Sequence, residues 1–247
     1  MALKPDDIKL VKGMGFLLNR GTDCFSGRVL PKGGVFTAEE LLAIAECAKT
    51  YGNGKVGFTA RQCAEIVGIP FEKIYDAIAF MAGHGLYFGG TGAKIRPITA
   101  CKGTTCIYGN CDTQALATKI HENYYEGWRD VVLPHKFKIG VGGCPNSCMK
   151  PSLNDFGIEA NRVPGSTDVM YQIYVGGTWG KTCRMGSKLS RLVSEEEIFP
   201  ILEKSMVWFK ENAQEKERFG KAIDRIGLNK LEAYLFSDEK VEKPVCK

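Results

Sequence analysis

Two short cysteine-rich segments restrict most strongly what this chain can fold into. The first, ACKGTTC, carries Cys101 and Cys106, and the second, GGCPNSC, carries Cys144 and Cys148. Closely spaced cysteines in a reducing compartment are typical of metal ligation or redox chemistry rather than of a disulfide scaffold. If the two segments meet in space, the fold has to form a cage of four sulfurs.

Two kinds of centre suit four cysteine thiolates, a tetrahedral zinc ion and an iron–sulfur cluster. Structural zinc sites favour a C-x2-C spacing, whereas the spacings here are C-x4-C and C-x3-C. Glycines beside both pairs let the backbone approach a bulky inorganic group. The spacing favours the cluster, and zinc remains the alternative.

The other cysteines and the histidines indicate no second metal site. Cys111 and Cys183 lie in glycine-rich loops near the predicted centre, and their role stays open. His84 and His121 lack partners at metal-ligand spacing and are predicted at helix surfaces. Four cysteines are predicted to be small buried residues: Cys24, Cys47, Cys63 and Cys246.

Composition excludes several broad classes of protein. The chain has 247 residues, of which 44% are hydrophobic, enough for one large domain or two small ones. A net charge of +5 is too small to indicate nucleic-acid binding. The first twenty residues lack the apolar core of a secretory signal, and no apolar run reaches the roughly 20 residues of a membrane span. We therefore expect a cytoplasmic protein that binds neither membrane nor nucleic acid.

The first part of the chain, from Phe25 to about Thr99, predicts a compact α/β unit. Thr37 and Glu40 form a capping box that begins a helix, whose apolar face is predicted to contain Leu41, Leu42, Ile44, Ala45 and Ala48. KVGFT and AKIRPITA are interpreted as strands, and TARQCAEIVGI and PFEKIYDAIAFMAGHG as helices. The order predicts a ferredoxin-like or split βαβ sheet.

A second unit begins at Cys101. It contains a helix over DTQALATKIHENYYEG and strands over HKFKIGV, DFGIEA and MYQIYVGG, and a capping box at Ser194 and Glu197 begins the closing helices. Strand alternation in HKFKIGV sends Lys136 and Lys138 to one face and Phe137 to the other.

The two cysteine segments resemble the cluster signature of the siroheme-dependent sulfite and nitrite reductases. GRVLPKGGVFTAEELLAIAECAKTYGNGKVGFTARQ and GGTWGKTCRMGSKL are similar to other segments of that family, so the resemblance extends from Arg28 to Leu235. It implies an α/β fold in which a ferredoxin-like half-domain precedes a 4Fe-4S α/β domain and C-terminal helices. The implied limits are 1–24, 25–99, 100–213 and 214–247.

The resemblance also implies two cofactors. Cys101, Cys106, Cys144 and Cys148 would ligate a 4Fe-4S cluster, and Cys148 would bridge it to the iron of siroheme. C-x4-C is one residue shorter than the C-x5-C of many members, so Cys111 is an alternative ligand. Four basic residues are implied to meet the siroheme carboxylates: Arg61, Lys181, Arg184 and Lys188.

The implied reaction is six-electron reduction of sulfite to sulfide or of nitrite to ammonia. Arg28, Arg96, Lys136 and Lys138 would bind the oxyanion and help supply protons. An external donor, a ferredoxin or a flavoprotein, would provide electrons, and a C2 homodimer would complete a site that longer members build from two copies. The alternatives are a 4Fe-4S electron-transfer protein without siroheme and a zinc-stabilised interaction module.

Overall fold

The computed structural model describes residues 3–244, which form two compact units divided between Gly92 and Ala93. Cys246 and the end of the predicted C-terminal segment lie outside the described residues. The domain limits drawn from the sequence, after residues 24, 99 and 213, stay a proposal. None of the helices within residues 3–244 combines the length and the apolar character needed to cross a bilayer.

The first unit is built on an antiparallel sheet of four strands in the order β1-β2-β4-β3. Its core is formed by Phe16, Phe25, Ile44, Ile66 and Met81, all fully or almost fully buried. Its elements are α1 (Pro5–Gly13), β1 (Phe16–Leu18), β2 (Cys24–Val29), α2 (Ala38–Tyr51), β3 (Val56–Phe58), β4 (Ala64–Pro70) and α3 (Ile74–Gly83).

Helix α2 begins at the predicted capping box, in which Thr37 and Glu40 each accept a hydrogen bond from the other's backbone N–H. The predicted apolar face is only partly right. Ile44 and Ala48 are buried, but Leu41 and Leu42 are 41% and 71% exposed. The buried stripe follows the 3.6-residue period through Ala43, Ile44, Cys47 and Ala48 instead.

The prediction of a helix over TARQCAEIVGI is wrong, because its second half is the strand β4. Ala64, Ile66 and Ile69 are fully buried, whereas Glu65 and Val67 between them are only half-buried, which is the alternation of a sheet. Isoleucine and valine are also better suited to a strand than to a helix. β4 therefore lies between β2 and β3, while the helix predicted after Pro70 is confirmed as a 3₁₀ turn followed by α3.

The second unit has a mixed sheet in the order β5-β6-β7-β8-β9, parallel from β5 to β7 and antiparallel from β7 to β9. Its first elements are β5 (Thr99–Ala100), α4 (Thr113–Ile120), β6 (Ile139–Gly142), β7 (Phe156–Arg162), β8 (Val169–Val175) and β9 (Ser187–Lys188). Three helices follow: α5 (Glu195–Asn212), which starts at the predicted capping box, α6 (Phe219–Ile226) and α7 (Leu228–Leu235).

Two predictions in this unit need correction. The strands predicted over AKIRPITA and HKFKIGV are shorter than expected, with β5 confined to Thr99–Ala100 and β6 beginning at Ile139. His121 is 3% exposed rather than at a helix surface. It begins a π-helical turn, His121–Glu126, that continues α4. The His121 ring stacks on the ring of Tyr125, with ring centroids 4.9 Å apart. A π turn shifts which side chains face the core, so a 3.6-residue period misplaces them.

Candidate functional site

The loop after β6 carries the second cysteine pair through two tight turns. The Ser147 N–H donates to the Cys144 carbonyl at 3.1 Å, and the Lys150 N–H donates to the Ser147 carbonyl at 2.8 Å. Both Ser147 and Lys150 have positive φ, 55° and 49°, a conformation that is uncommon for residues other than glycine. The turns leave Cys148 exposed at the surface of its unit.

Two glycines, one in β7 and one just after β8, let this loop lie close to the sheet. A Cβ at Gly157 would lie 2.1 Å from the Pro151 carbonyl oxygen, and one at Gly177 would lie 2.4 Å from that of Ser152. Such distances are far inside van der Waals contact, so only glycine allows residues 151–154 to lie so close to the sheet. These glycines therefore accommodate the protein's own loop.

The two cysteine loops are in direct contact within the second unit. The Gly143 N–H donates to Cys101 Sγ at 3.2 Å, and the Asn110 N–H donates to the Gly143 carbonyl at 2.8 Å. A Cβ at Gly143 would lie 3.3 Å from Cys101 Sγ and 3.0 Å from Thr113 Cγ2. The glycine before Cys144 thus lets the two loops approach each other.

The donor set of these loops fits an iron–sulfur cluster in its chemistry. Cys101, Cys106 and Cys144 are half-buried and Cys148 is exposed, and thiolates are the ligands such clusters use. The Gly143 N–H donates a hydrogen bond to Cys101 Sγ. Hydrogen bonds to ligand sulfurs help to set the reduction potential of an iron–sulfur cluster. Within residues 3–244, however, no three His, Cys, Asp or Glu side chains are placed closely enough to hold a metal ion. The four-cysteine ligand set stays a prediction.

Cys111 lies in a different environment from the predicted ligands. It packs against the hydrophobic core of the second unit, and burial raises the pKa of its thiol to about 11, although the hydroxyl of Tyr171 opposes the shift. Burial thus favours the neutral thiol over the thiolate that binds iron. Its environment is a physical reason to prefer Cys106 as the ligand.

Three of the basic residues predicted to bind the anion belong to the second unit. The Arg96 N–H donates to the Phe137 carbonyl at 2.8 Å, which connects Arg96 to the KFK segment (Lys136, Phe137 and Lys138). Phe137 is fully buried and the lysines on either side are half-buried, so the predicted alternation is present although β6 begins only at Ile139.

The Lys136 side chain lies in a largely positive environment. Partial burial, Arg218 and Arg96 lower the pKa of Lys136, and the carboxylate of Asp155 acts in the opposite direction. The neighbouring His135 also has a lowered pKa, through burial and the charges of Arg218, Lys136 and Arg96. Cations gathered in this way oppose one another and favour an anion among them.

The predicted siroheme contacts in the second unit differ in the donors that they offer. All five N–H groups of Arg184 have acceptors: the Asp224 carboxylate, Ser187 Oγ and three backbone carbonyls. Lys181 is exposed, and Lys188 is exposed with its Nζ 5.6 Å from the centre of the Tyr174 ring. Arg184 therefore serves as an internal clamp in this structure, whereas the two lysines point to solvent.

In the first unit, Arg28 pairs with a carboxylate across the sheet. Its Nε and Nη2 donate to Glu65 Oε1 at 2.9 and 2.5 Å, and Nη1 donates to the Gly90 carbonyl at 3.1 Å. Arg28 and Glu65 are register partners of β2 and β4, with 18% and 23% of their side chains exposed. The charges of Arg28 and Arg61 both act on the buried Cys63 thiol, whose pKa burial raises to about 11. The two predicted arginines therefore lie in one region of this unit.

Glu65, Asp155 and Arg218 are not marked by any motif in the sequence. Glu65 lies in the segment wrongly predicted as a helix, which concealed its position opposite Arg28. Asp155 follows Asn154 just before β7, where an acid is a common turn residue, so the sequence gives no signal of its burial. Arg218 lies in the charged run EKERFGK, which is typical of a solvated surface.

Two family models match the chain, one in each unit. The family model described as the nitrite and sulphite reductase 4Fe-4S domain matches residues 91–244, and that of the nitrite/sulfite reductase ferredoxin-like half domain matches residues 18–82. The assimilatory-type sulfite reductase of Nitratidesulfovibrio vulgaris is 24% identical over 80% of this chain and 86% of its own length. A nitrite reductase (NAD(P)H) of Emericella nidulans is 29% identical over 85% of this chain, which spans only 19% of that protein.

The fold has a solved counterpart. The crystal structure of dissimilatory sulfite reductase I superposes with a TM-score of 0.76 at 19% sequence identity, covering 90% of this chain and 72% of that one. It matches the mixed α/β fold predicted from the sequence, a ferredoxin-like half-domain followed by a 4Fe-4S domain. Because the 4Fe-4S domain family alone matches more than half of the residues, the chain belongs to the nitrite and sulfite reductase family.

Proposed function

We propose that this protein reduces sulfite or nitrite by six electrons, with a 4Fe-4S cluster and siroheme as cofactors. One observation carries the proposal: the contact between Gly143 and Cys101 joins the two cysteine loops in the same unit that holds Arg96, Lys136 and Lys138. An electron carrier or a structural zinc site has no use for such a group of cations. Membership of the family supports the same interpretation.

The basic residues serve the chemistry of a small oxyanion. Sulfite takes up six electrons and six protons to give sulfide and three waters, while nitrite takes up six electrons and eight protons to give ammonium and two waters. Each oxygen leaves more easily when a cation or an N–H donor stabilises its negative charge. Arg28, Arg96, Lys136 and Lys138 would hold the anion, and the ammonium groups of the lysines would donate protons to the departing oxygens.

The cysteines would hold the electron-transfer centre. Cys101, Cys106, Cys144 and Cys148 would ligate the cluster, and Cys148 would also bind the siroheme iron. Arg61, Lys181, Arg184 and Lys188 would meet the siroheme carboxylates, and Arg184 would do so by exchanging its present acceptors, as Arg28 would for the anion. When bound, the two cofactors supply one-electron transfer and a coordination site for the anion. The donor, a ferredoxin or a flavoprotein, and a C2 homodimer belong to the same proposal.

The test is a cofactor analysis of anaerobically purified protein from a host that makes siroheme. We expect siroheme absorption bands together with about five iron atoms and four acid-labile sulfides per chain, the content of one cluster and one haem. Iron and sulfide without tetrapyrrole would replace the reductase with an electron carrier. Zinc alone would exclude both redox functions.

A further inference from the structure

A fully buried carboxylate connects the anion-binding segment with the C-terminal helices. Asp155, immediately before β7, is 0% exposed. Its oxygens accept two hydrogen bonds from Arg218 Nη2, both at 2.8 Å, and Oδ2 accepts a third from the Lys138 N–H at 2.9 Å. Asp155 is thus bound at once to the residue before α6 and to the KFK segment.

Stability alone is a weak explanation for this buried pair. Removing two charges from water costs more than most ion pairs return, so replacing such a pair with apolar residues is often neutral or stabilising. The arrangement is also incomplete as a structural clamp, since Arg218 Nε is buried without a hydrogen-bond partner among the described residues. A role in the neighbouring site explains better why charge is kept here.

The pair fixes the backbone of the KFK segment. The Lys138 N–H is bound to Asp155, the Lys138 carbonyl accepts from the Phe156 N–H at 2.9 Å, and the Phe137 N–H donates to the Lys94 carbonyl at 3.0 Å. The Phe137 ring packs against Phe219, the residue after Arg218, with ring centroids 5.3 Å apart. Because lysine has a long and flexible side chain, its ammonium group is placed reproducibly only if the backbone below it is rigid.

The pair also determines the local charge. Among the groups that act on Lys136, Arg218 and Arg96 are positive and Asp155 is the counter-charge. Without Asp155, the charge of Arg218 would act on Lys136 with no counter-charge beside it. Asp155 therefore contributes both a hydrogen bond that holds the KFK segment and the negative charge that offsets Arg218.

We propose that Asp155 and Arg218 are positioning residues for the oxyanion, which hold Lys136 and Lys138 in the geometry that binds it. This inference rests on the proposed function, in which the two lysines contact the substrate. Neither Asp155 nor Arg218 touches the anion in this account; they act through the KFK segment.

The test compares the wild-type holoprotein with Asp155→Asn, with Arg218→Lys and with the double variant Asp155→Asn/Arg218→Gln, which removes both charges if the single change prevents folding. The matched control is Asp130→Asn, which breaks an exposed pair with Lys243 in the same unit. Cofactor content, kcat and KM for sulfite and nitrite, and hydrogen exchange of a peptide covering residues 134–139 are measured on each.

We expect Asp155→Asn and the double variant to keep their cofactors, to raise KM or lower kcat/KM by about ten- to a hundredfold, and to exchange faster at residues 134–139. Arg218→Lys keeps the positive charge but loses the planar guanidinium group that bonds both oxygens of Asp155. It should therefore retain intermediate activity. Wild-type kinetics in a folded Asp155→Asn or double variant would overturn the inference while leaving the proposed function intact. A wild-type holoprotein that reduces neither anion would instead remove the proposed function, and this inference with it.

Discussion

The two units of the chain hold their predicted anion-binding cations in contrasting ways. In the first unit, Arg28 is paired directly with Glu65, and both side chains remain partly exposed to solvent. In the second, the carboxylate of Asp155 is fully buried and neutralises Arg218, a residue behind the predicted binding lysines. A pair that keeps contact with solvent is easier to break than one whose carboxylate is fully buried. The first arrangement suits an arginine that exchanges Glu65 for the anion. The second suits a pair that holds the KFK segment in a fixed position.

The largest expected loss of activity comes from replacing a predicted cluster ligand. All four of these cysteines belong to the second unit. Cys148→Ser should lose cluster iron, sulfide and siroheme together and lower sulfite or nitrite reduction by more than about a thousandfold, because one thiolate serves both cofactors. Metal analysis and the absorption spectrum check this. Retention of both cofactors in coupled form would refute the bridging role.

A matched pair of cysteine variants decides the ligand set. Cys106→Ser should lose the cluster, while Cys111→Ser, which alters a thiol packed against the core beside Tyr171, should keep its iron and sulfide. Iron content after anaerobic purification distinguishes them. The reverse result would make Cys111 the ligand and reject Cys106.

Next in size is the loss of the lysine charges. Lys136→Ala combined with Lys138→Ala should leave cofactor absorption largely intact and lower turnover about a hundred- to ten-thousandfold, the range for a lost proton donor. Lys119→Ala, on α4 and exposed, is the control. Unchanged steady-state kinetics in the double variant would remove both lysines from the mechanism.

Glu65 and Arg28 should respond in opposite directions, which sharpens the contrast between the units. Arg28→Gln should raise KM for the anion, whereas Glu65→Gln, which frees the guanidinium of a competing carboxylate, should lower KM by about two- to fivefold, as expected for a pair worth up to about 1 kcal/mol. Steady-state titrations with sulfite and nitrite measure both. An increase in KM for Glu65→Gln would show that the carboxylate positions the arginine instead.

The smallest effect is a shift in pH dependence. Burial and the charges of Arg218 and Arg96 lower the pKa of Lys136 below its usual 10.5, so its positive charge is present at low pH and lost as pH rises through the lowered value. Anion affinity should therefore decline at a pH below that of an ordinary lysine. In Lys136→Arg the decline in anion affinity should begin at a higher pH, because arginine stays charged. A decline at the same pH as in the wild type would assign the titration to another group.

The features that the sequence predicted best are local ones. The two capping boxes and the strands β7 and β8 depend on residues near one another in the chain. The helix predicted over TARQCAEIVGI failed although its isoleucines and valine favour a strand. Which of its side chains are buried is decided by the pairing of β4 with β2 and β3, which involves distant residues.

The parts of the candidate site that were missed depend on distant residues. Asp155 and Arg218 are 63 positions apart, and no pattern in either segment announces their pairing. The bonds from Arg184 to a carboxylate 40 positions away and to nearby carbonyls were likewise not foreseen, and its contact with siroheme stays a prediction. Arg96, Lys136 and Lys138 could be proposed because resemblance identified the segments. The contacts of Asp155 with Arg218 and with the Lys138 N–H could be recognised only in the folded structure.

The most direct test of the central claim is the electron stoichiometry of the holoprotein. Purified protein containing both cofactors is supplied with a one-electron donor, reduced methyl viologen, and with limiting sulfite or nitrite, and the donor oxidised is compared with the sulfide or ammonium formed. The account predicts six electrons per product molecule for at least one of the two anions. No anion-dependent oxidation, or an oxidation that stops at a partly reduced product, would contradict it.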